Sequence, residues 1–120
     1  MKGLLIIAVL CLFISCAENS KMDTYIVETS VNLQKGKTKE VLELFKSTNP
    51  QLVSNEEDWI KASFSSVEGK DIIIVRAEWK SKKSYLKFSN SKEFKDTMKE
   101  FGRYFKGKPK VTFSKVLFEM

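Results

Sequence analysis

Ile72-Ile73-Ile74-Val75 is apolar at every position, and that run restricts the folds open to the chain. A strand packed on one face alternates apolar and polar residues, whereas a strand covered on both faces does not. The turn Glu68-Gly69-Lys70 precedes the run, which continues to Trp79. Before the turn, residues 59–67 read as a partner strand, with Ile60, Ala62 and Phe64 on one side. Two such runs joined through a glycine turn predict a β-hairpin.

The rest of the chain supplies elements to flank that hairpin. Tyr25, Val27, Thr29, Val31 and Leu33 alternate with Ile26, Glu28, Ser30 and Asn32, the period of a first strand ending near Gly36. A helix is expected from Thr38, with Val41, Leu42, Leu44 and Phe45 as its apolar stripe. Asn49-Pro50 should stop it, because proline cannot donate to the helix ladder, and residues 51–58 would form a polar connector. After Trp79, Ser81 is placed to cap a short helix bearing Tyr85 and Phe88. Ser91 is placed to cap a longer one, with Phe94, Met98, Phe101 and Phe105 spaced for one face and Gly107-Lys108-Pro109 as its end. The last strand is expected at 111–119, with Val111, Phe113 and Leu117 facing one way and Val116 and Phe118 the other. The order β-α-β-β-α-β is the ferredoxin-like pattern: an α+β sandwich with a four-stranded antiparallel sheet and helices on one face. One domain over residues 24–120 accounts for it.

The N-terminus reads differently. Met1-Lys2 begins a basic start, and residues 3–15 form a short apolar stretch before Cys16. That is a secretory signal, too short for the roughly 20 residues of a spanning helix. Phe13-Ile14-Ser15-Cys16 resembles the lipobox of bacterial lipoproteins, although the usual residue at the Phe13 position is Leu. The resemblance implies lipidation at Cys16 after removal of residues 1–15, a tether at 17–23 and attachment to a membrane of the bacterial cell envelope. An ordinary cleaved signal that happens to contain a cysteine is the alternative.

Composition removes whole classes of chemistry. The two cysteines are Cys11 and Cys16, and there is no histidine. The folded body therefore has no disulfide framework, no thiol nucleophile and neither of the usual zinc-site donors. The whole chain's net charge of +6 comes mainly from lysines at expected turns and helix starts, the ordinary place for solvated charge. Attraction to anionic headgroups or acidic ligands is the functional alternative. The same element order occurs in single-strand RNA binders, but the third strand here lacks their basic-Gly-aromatic motif.

The stretch Asp58-Trp59-Ile60-Lys61-Ala62-Ser63-Phe64, followed by Gly69-Lys70-Asp71 and a strand ending Trp79-Lys80-Ser81, resembles the antibiotic biosynthesis monooxygenase superfamily. Asn90-Ser91-Lys92-Glu93-Phe94 is similar to that family's next helix start, and Lys110-Val111-Thr112-Phe113 to its closing strand. The resemblance implies a homodimer in which two sheets pack face to face as a dimeric α+β barrel. The apolar outer positions Ile72, Ile74, Val116 and Phe118 would lie in that seam. It also implies either haem degradation or oxidation of phenols by dioxygen with no cofactor. The haem-degrading branch places a Trp and a His where this chain has about Phe88 and Met98, so that branch does not fit. A cofactor-free site needs aromatic walls and a few polar groups that favour a substrate anion. Trp59, Phe64, Trp79, Tyr85 and Phe88 are the expected walls, with Asn32, Arg76 and Tyr85 as polar handles for a small aromatic ligand. Core packing is the competing reading for Trp79 and for the aromatic face of the second long helix. A non-catalytic envelope lipoprotein that binds a small ligand or a partner is the alternative function.

Overall fold

The structure is a computed structural model and describes residues 24–120. The signal, the lipobox Cys16 and the tether all lie outside the described residues.

The elements are β1 (Tyr25–Asn32), α1 (Thr38–Val53), β2 (Trp59–Ser66), β3 (Ile72–Trp79), α2 (Lys82–Ser89), α3 (Lys92–Phe101), a 3₁₀ turn (Gly102–Tyr104) and β4 (Lys110–Lys115). The sheet order is β2-β3-β1-β4 with every pairing antiparallel, the ferredoxin-like α+β arrangement. In-register partners share a face, so Tyr25, Val27, Thr29 and Val31 join Trp79, Ala77, Val75 and Ile73 on one side. That side carries the buried residues of β1 and β3 apart from Ile26.

Four expectations change. First, α1 does not stop at Asn49-Pro50 but runs through Pro50 to Val53. An internal proline costs a helix about 3 kcal/mol. The extra turn brings Leu52 and Val53, both half-buried, onto the cluster of Tyr25, Val27, Trp79 and Phe88. These two partial burials, each worth less than the roughly 1.5–3 kcal/mol of a fully buried side chain, work against that cost. Second, a β-bulge between Trp59 and Lys61 inserts one extra residue. It moves Trp59 onto the face of Ala62 and Phe64 and leaves Ile60 40% exposed. Third, Phe105 leaves the helix and bridges Leu33 instead.

The fourth correction concerns the outer face. Strand β4 ends at Lys115, so Val116 and Phe118 do not belong to the sheet, and Leu117 and Phe118 are exposed. The face away from the cavity side bears Ile26, Ile72 and Ile74 among Glu28, Ser30, Ser63, Arg76 and Glu78. It is a mixed surface rather than a continuous apolar one.

The core is divided. Val31, Leu33, Val41, Phe45, Ile73 and Phe101 form one cluster, with Phe45 edge-on to Phe101 at 4.7 Å. Tyr25, Val27, Trp79 and Phe88 form the other.

Candidate functional site

The two clusters leave a space between them. A cavity of about 690 Å³ is lined by Val31, Phe45 and Phe101 from the first cluster and Val27, Trp79 and Phe88 from the second. That volume lies within the range of small-molecule sites, about 300–1,000 Å³. Its floor is the sheet, through Thr29, Ala62, Phe64, Val75 and Ala77. Its cover is α1, through Asn49, Leu52 and Val53, and the helical face of Phe94 and Met98.

The walls are set by local rules. Ser81 caps α2 by accepting from the Ser84 N–H at 3.1 Å, and Ser91 caps α3 by accepting from the Phe94 N–H at 3.2 Å. Ser84 Oγ also donates to the Asp58 carboxylate, and the Lys80 N–H donates to the Asp58 carbonyl at 2.8 Å. Asp58 precedes β2, so this node joins the first turn of α2 to the hairpin. The result sets Tyr85 edge-on to Trp79 at 5.8 Å and Phe88 against Trp79 at 5.0 Å. Small residues keep the floor low. Ala62 pairs with Ala77, and neither fills the space above it.

Of the residues singled out from sequence, Trp59, Phe64, Trp79, Tyr85 and Phe88 line the cavity together. Arg76 and Asn32 do not. Arg76 pairs with Glu28 and Ser63, Asn32 with Ile72, and all lie on the opposite sheet face. Strand parity causes this: each follows a cavity-side residue, Val75 or Val31, by one position. On that face Glu78 meets Lys61 at 3.4 Å. The aromatic face assigned to core packing also serves as wall, because Phe94, Met98, Phe101 and Phe105 all border the space.

Sequence reasoning missed three polar lining residues: Thr29, Asn49 and Lys108. Thr29 sat in the inward series of β1 and was readable from parity. Asn49 was read as a helix stop, and Lys108 as a loop charge. Trp79 is 1% exposed and its indole Nε1 has no hydrogen-bond partner among the described residues. Burial raises the Tyr85 phenol above its ordinary pKa, with hydrogen bonding from Ser89 opposing. Tyr85 is therefore neutral at physiological pH and can donate or accept a hydrogen bond. Among the described residues no group of three acidic, His or Cys side chains is placed to hold a metal ion, and no helix is long and apolar enough to cross a membrane.

A ferredoxin-like sheet with an aromatic cavity under its helices defines a small-molecule-pocket class of α+β domain. The chain belongs to the antibiotic biosynthesis monooxygenase family, whose model matches residues 24–100. No curated protein matches it. Among solved structures, a conserved protein from Methanosarcina mazei Go1 is 19% identical, with a TM-score of 0.71 over 81% of this chain and 96% of that one. A variant of SnoaB, a cofactor-independent oxygenase from Streptomyces nogalater, is 10% identical, with a TM-score of 0.70 over 82% and 97%. A protein of unknown function from Nitrosomonas europaea is 12% identical, with a TM-score of 0.69 over 83% and 95%. At these identities the likeness is one of fold.

Proposed function

We propose that this chain is an exported, lipid-anchored, homodimeric domain that takes a small aromatic molecule into the cavity and oxygenates it with dioxygen and no cofactor. The observation that carries the reading is the 690 Å³ aromatic-walled space between helices and sheet. The SnoaB likeness supports it at the level of fold.

For an anthrone-type substrate the balance is R₂CH₂ + O₂ → R₂C=O + H₂O. The substrate carbon loses a proton and becomes an electron-rich anion, which reduces dioxygen. A carbon–oxygen bond forms, the oxygen–oxygen bond breaks, and the second oxygen leaves as water. The protein needs only to bind the ring system, favour its anion and shield the reaction from bulk water. The aromatic walls bind the rings. Neutral Tyr85 can donate to a developing oxyanion. The proton passes to solvent at the cavity mouth.

A second reading has a specific observation in its favour. No described lining residue is a general base that is ionised at neutral pH: Tyr85 is held neutral and Lys108 is a cation. A ligand-binding relative that does no chemistry needs no such base.

Oxygen uptake by the purified protein, measured with a panel of anthrones and quinols, separates the two. One dioxygen consumed per anthraquinone formed from an anthrone, above the spontaneous rate and with oxygen-18 from labelled dioxygen in the new carbonyl, supports the oxygenase. Saturable binding without added oxygen uptake supports the second reading and removes the first.

A further inference from the structure

We infer that the cavity selects an amphiphilic monoanion: an apolar aromatic body with one acidic group held at Lys108. The inference rests on the small-aromatic reading of the cavity and adds the charge and orientation of the ligand.

Among the described lining residues, Lys108 is the only Lys, Arg, Asp or Glu. The remaining polar side chains are Thr29, Asn49, Tyr85 and the indoles of Trp59 and Trp79, all uncharged. A buried charge without a partner costs several kcal/mol, so the interior rejects ions in either sign. A cationic ligand would also meet Lys108 at the edge and be repelled. A neutral ligand would leave Lys108 unused, and a dianion would lack a second cation. A single anion is the ligand charge that gains an ion pair at Lys108 and asks no charge of the interior.

Position supports this. Lys108 is exposed, and Gly107 before it takes a positive φ of +89°, turning the chain into Pro109 and β4. Lys108 lies three residues before Val111, which pairs with Thr29. Tyr85 marks the other end, packed on Phe113 at 5.8 Å and on Trp79. Lys108 and Phe113 are five steps apart in the chain, so at most about 18 Å separates them. An elongated body of two or three rings, with its acid towards Lys108 and its far edge towards Tyr85, is of that order of length. The acid stays near water, where its desolvation is smallest, while the rings enter the dry part.

A matched pair of fluorescent probes tests the inference. 1-Anilinonaphthalene-8-sulfonate is an apolar aromatic monoanion, and N-phenyl-1-naphthylamine is the same body without the acid. The purified protein, Lys108→Gln, Lys106→Gln and Ala77→Trp are titrated with each. Lys106 is exposed and does not line the cavity, so its variant controls for general positive charge. Lys108→Gln should weaken the sulfonate roughly fivefold, the size of an exposed ion pair, and leave the neutral probe unchanged. Lys106→Gln should change neither, and Ala77→Trp should reduce both by filling the floor. If Lys108→Gln leaves both affinities as they were while Ala77→Trp still reduces them, the charge selection is overturned and the cavity reading stands. If Ala77→Trp affects neither probe, the cavity does not bind them and both readings fall.

Discussion

Asp58 and Ser84 are joined by a hydrogen bond from the Ser84 hydroxyl to the Asp58 carboxylate, linking the approach to β2 with the first turn of α2. Ser81 completes the node through the Ser84 hydroxyl at 2.8 Å and the Ser84 N–H. The aromatic wall of Tyr85 and Phe88 follows on the same helix, so the node sets where that wall stands over Trp79. Asp58→Ala should lower stability by about 1–2 kcal/mol, the usual loss for a charged hydrogen bond at a helix start. Urea denaturation followed by circular dichroism reads the change. A midpoint equal to that of the native protein would show that the node does not hold the helix.

Pro50 gives a prediction of opposite sign. It sits inside α1, where it removes the bond to the Lys46 carbonyl. Replacing it with alanine restores that donor and relieves the ring clash, while the unfolded chain gains freedom worth about 0.4–1 kcal/mol. Pro50→Ala should therefore raise stability by roughly 2–2.5 kcal/mol. A lower urea midpoint would mean that the helix is not continuous through residue 50.

How much of this was legible follows from the range of each cause. The hairpin and the caps at Ser81 and Ser91 are local, and the residue order carries them directly. The α1 extension is not local, because it depends on Leu52 and Val53 finding Trp79 and Phe88 from another part of the chain. The bulge at Ile60 has no marker in the sequence, and one inserted residue reverses every facing assignment before it. Arg76 and Asn32 were a different kind of miss: strand parity already placed them away from Val75 and Val31. Lys108 follows no periodicity, and only the closure of the fold brings it to the cavity.

Asp71 should make the fold sensitive to acid. Its carboxylate accepts from the Gly36 N–H at 3.1 Å and from the Thr38 hydroxyl at 2.9 Å, tying the β3 entrance to the start of α1. The Gly36 bond first, then Thr38, hold its pKa below the ordinary carboxylate value. A lowered folded pKa means that the unfolded chain binds a proton more readily. The contribution is therefore complete above the unfolded value, near pH 4, and fades as pH falls through the lower folded value. Asp71→Asn should flatten the stability profile below about pH 4 relative to the native chain. Parallel acid titrations of the two proteins would count against this role.

The proposed pairing of two copies depends on a mixed face rather than a greasy one. Ile72 and Ile74 lie on it, with Ser30 and Ser65 beside Ile74 in the register. If a second sheet covers that face, a lysine at position 74 brings an unpaired charge into the seam. Ile74→Lys should then lower the mass seen by light scattering to that of one chain, with the circular dichroism spectrum unchanged. A native mass for the variant, or a native protein already monomeric at high concentration, would remove this seam.

Trp79 tests whether its indole nitrogen matters. The ring is almost wholly buried between Tyr85 and Phe88, yet Nε1 has no partner among the described residues. An orphaned donor costs about 1–3 kcal/mol. Trp79→Phe removes that penalty while giving up part of the ring and leaving a small void, whose cost acts in the other direction. The two should nearly cancel, leaving stability within about 1 kcal/mol of the native value. Trp79→Ala has no such compensation and should cost about 3–5 kcal/mol. If Trp79→Phe were instead as damaging as Trp79→Ala, the indole would have a hydrogen-bond partner in solution, and a bound ligand or water would be the place to look for it.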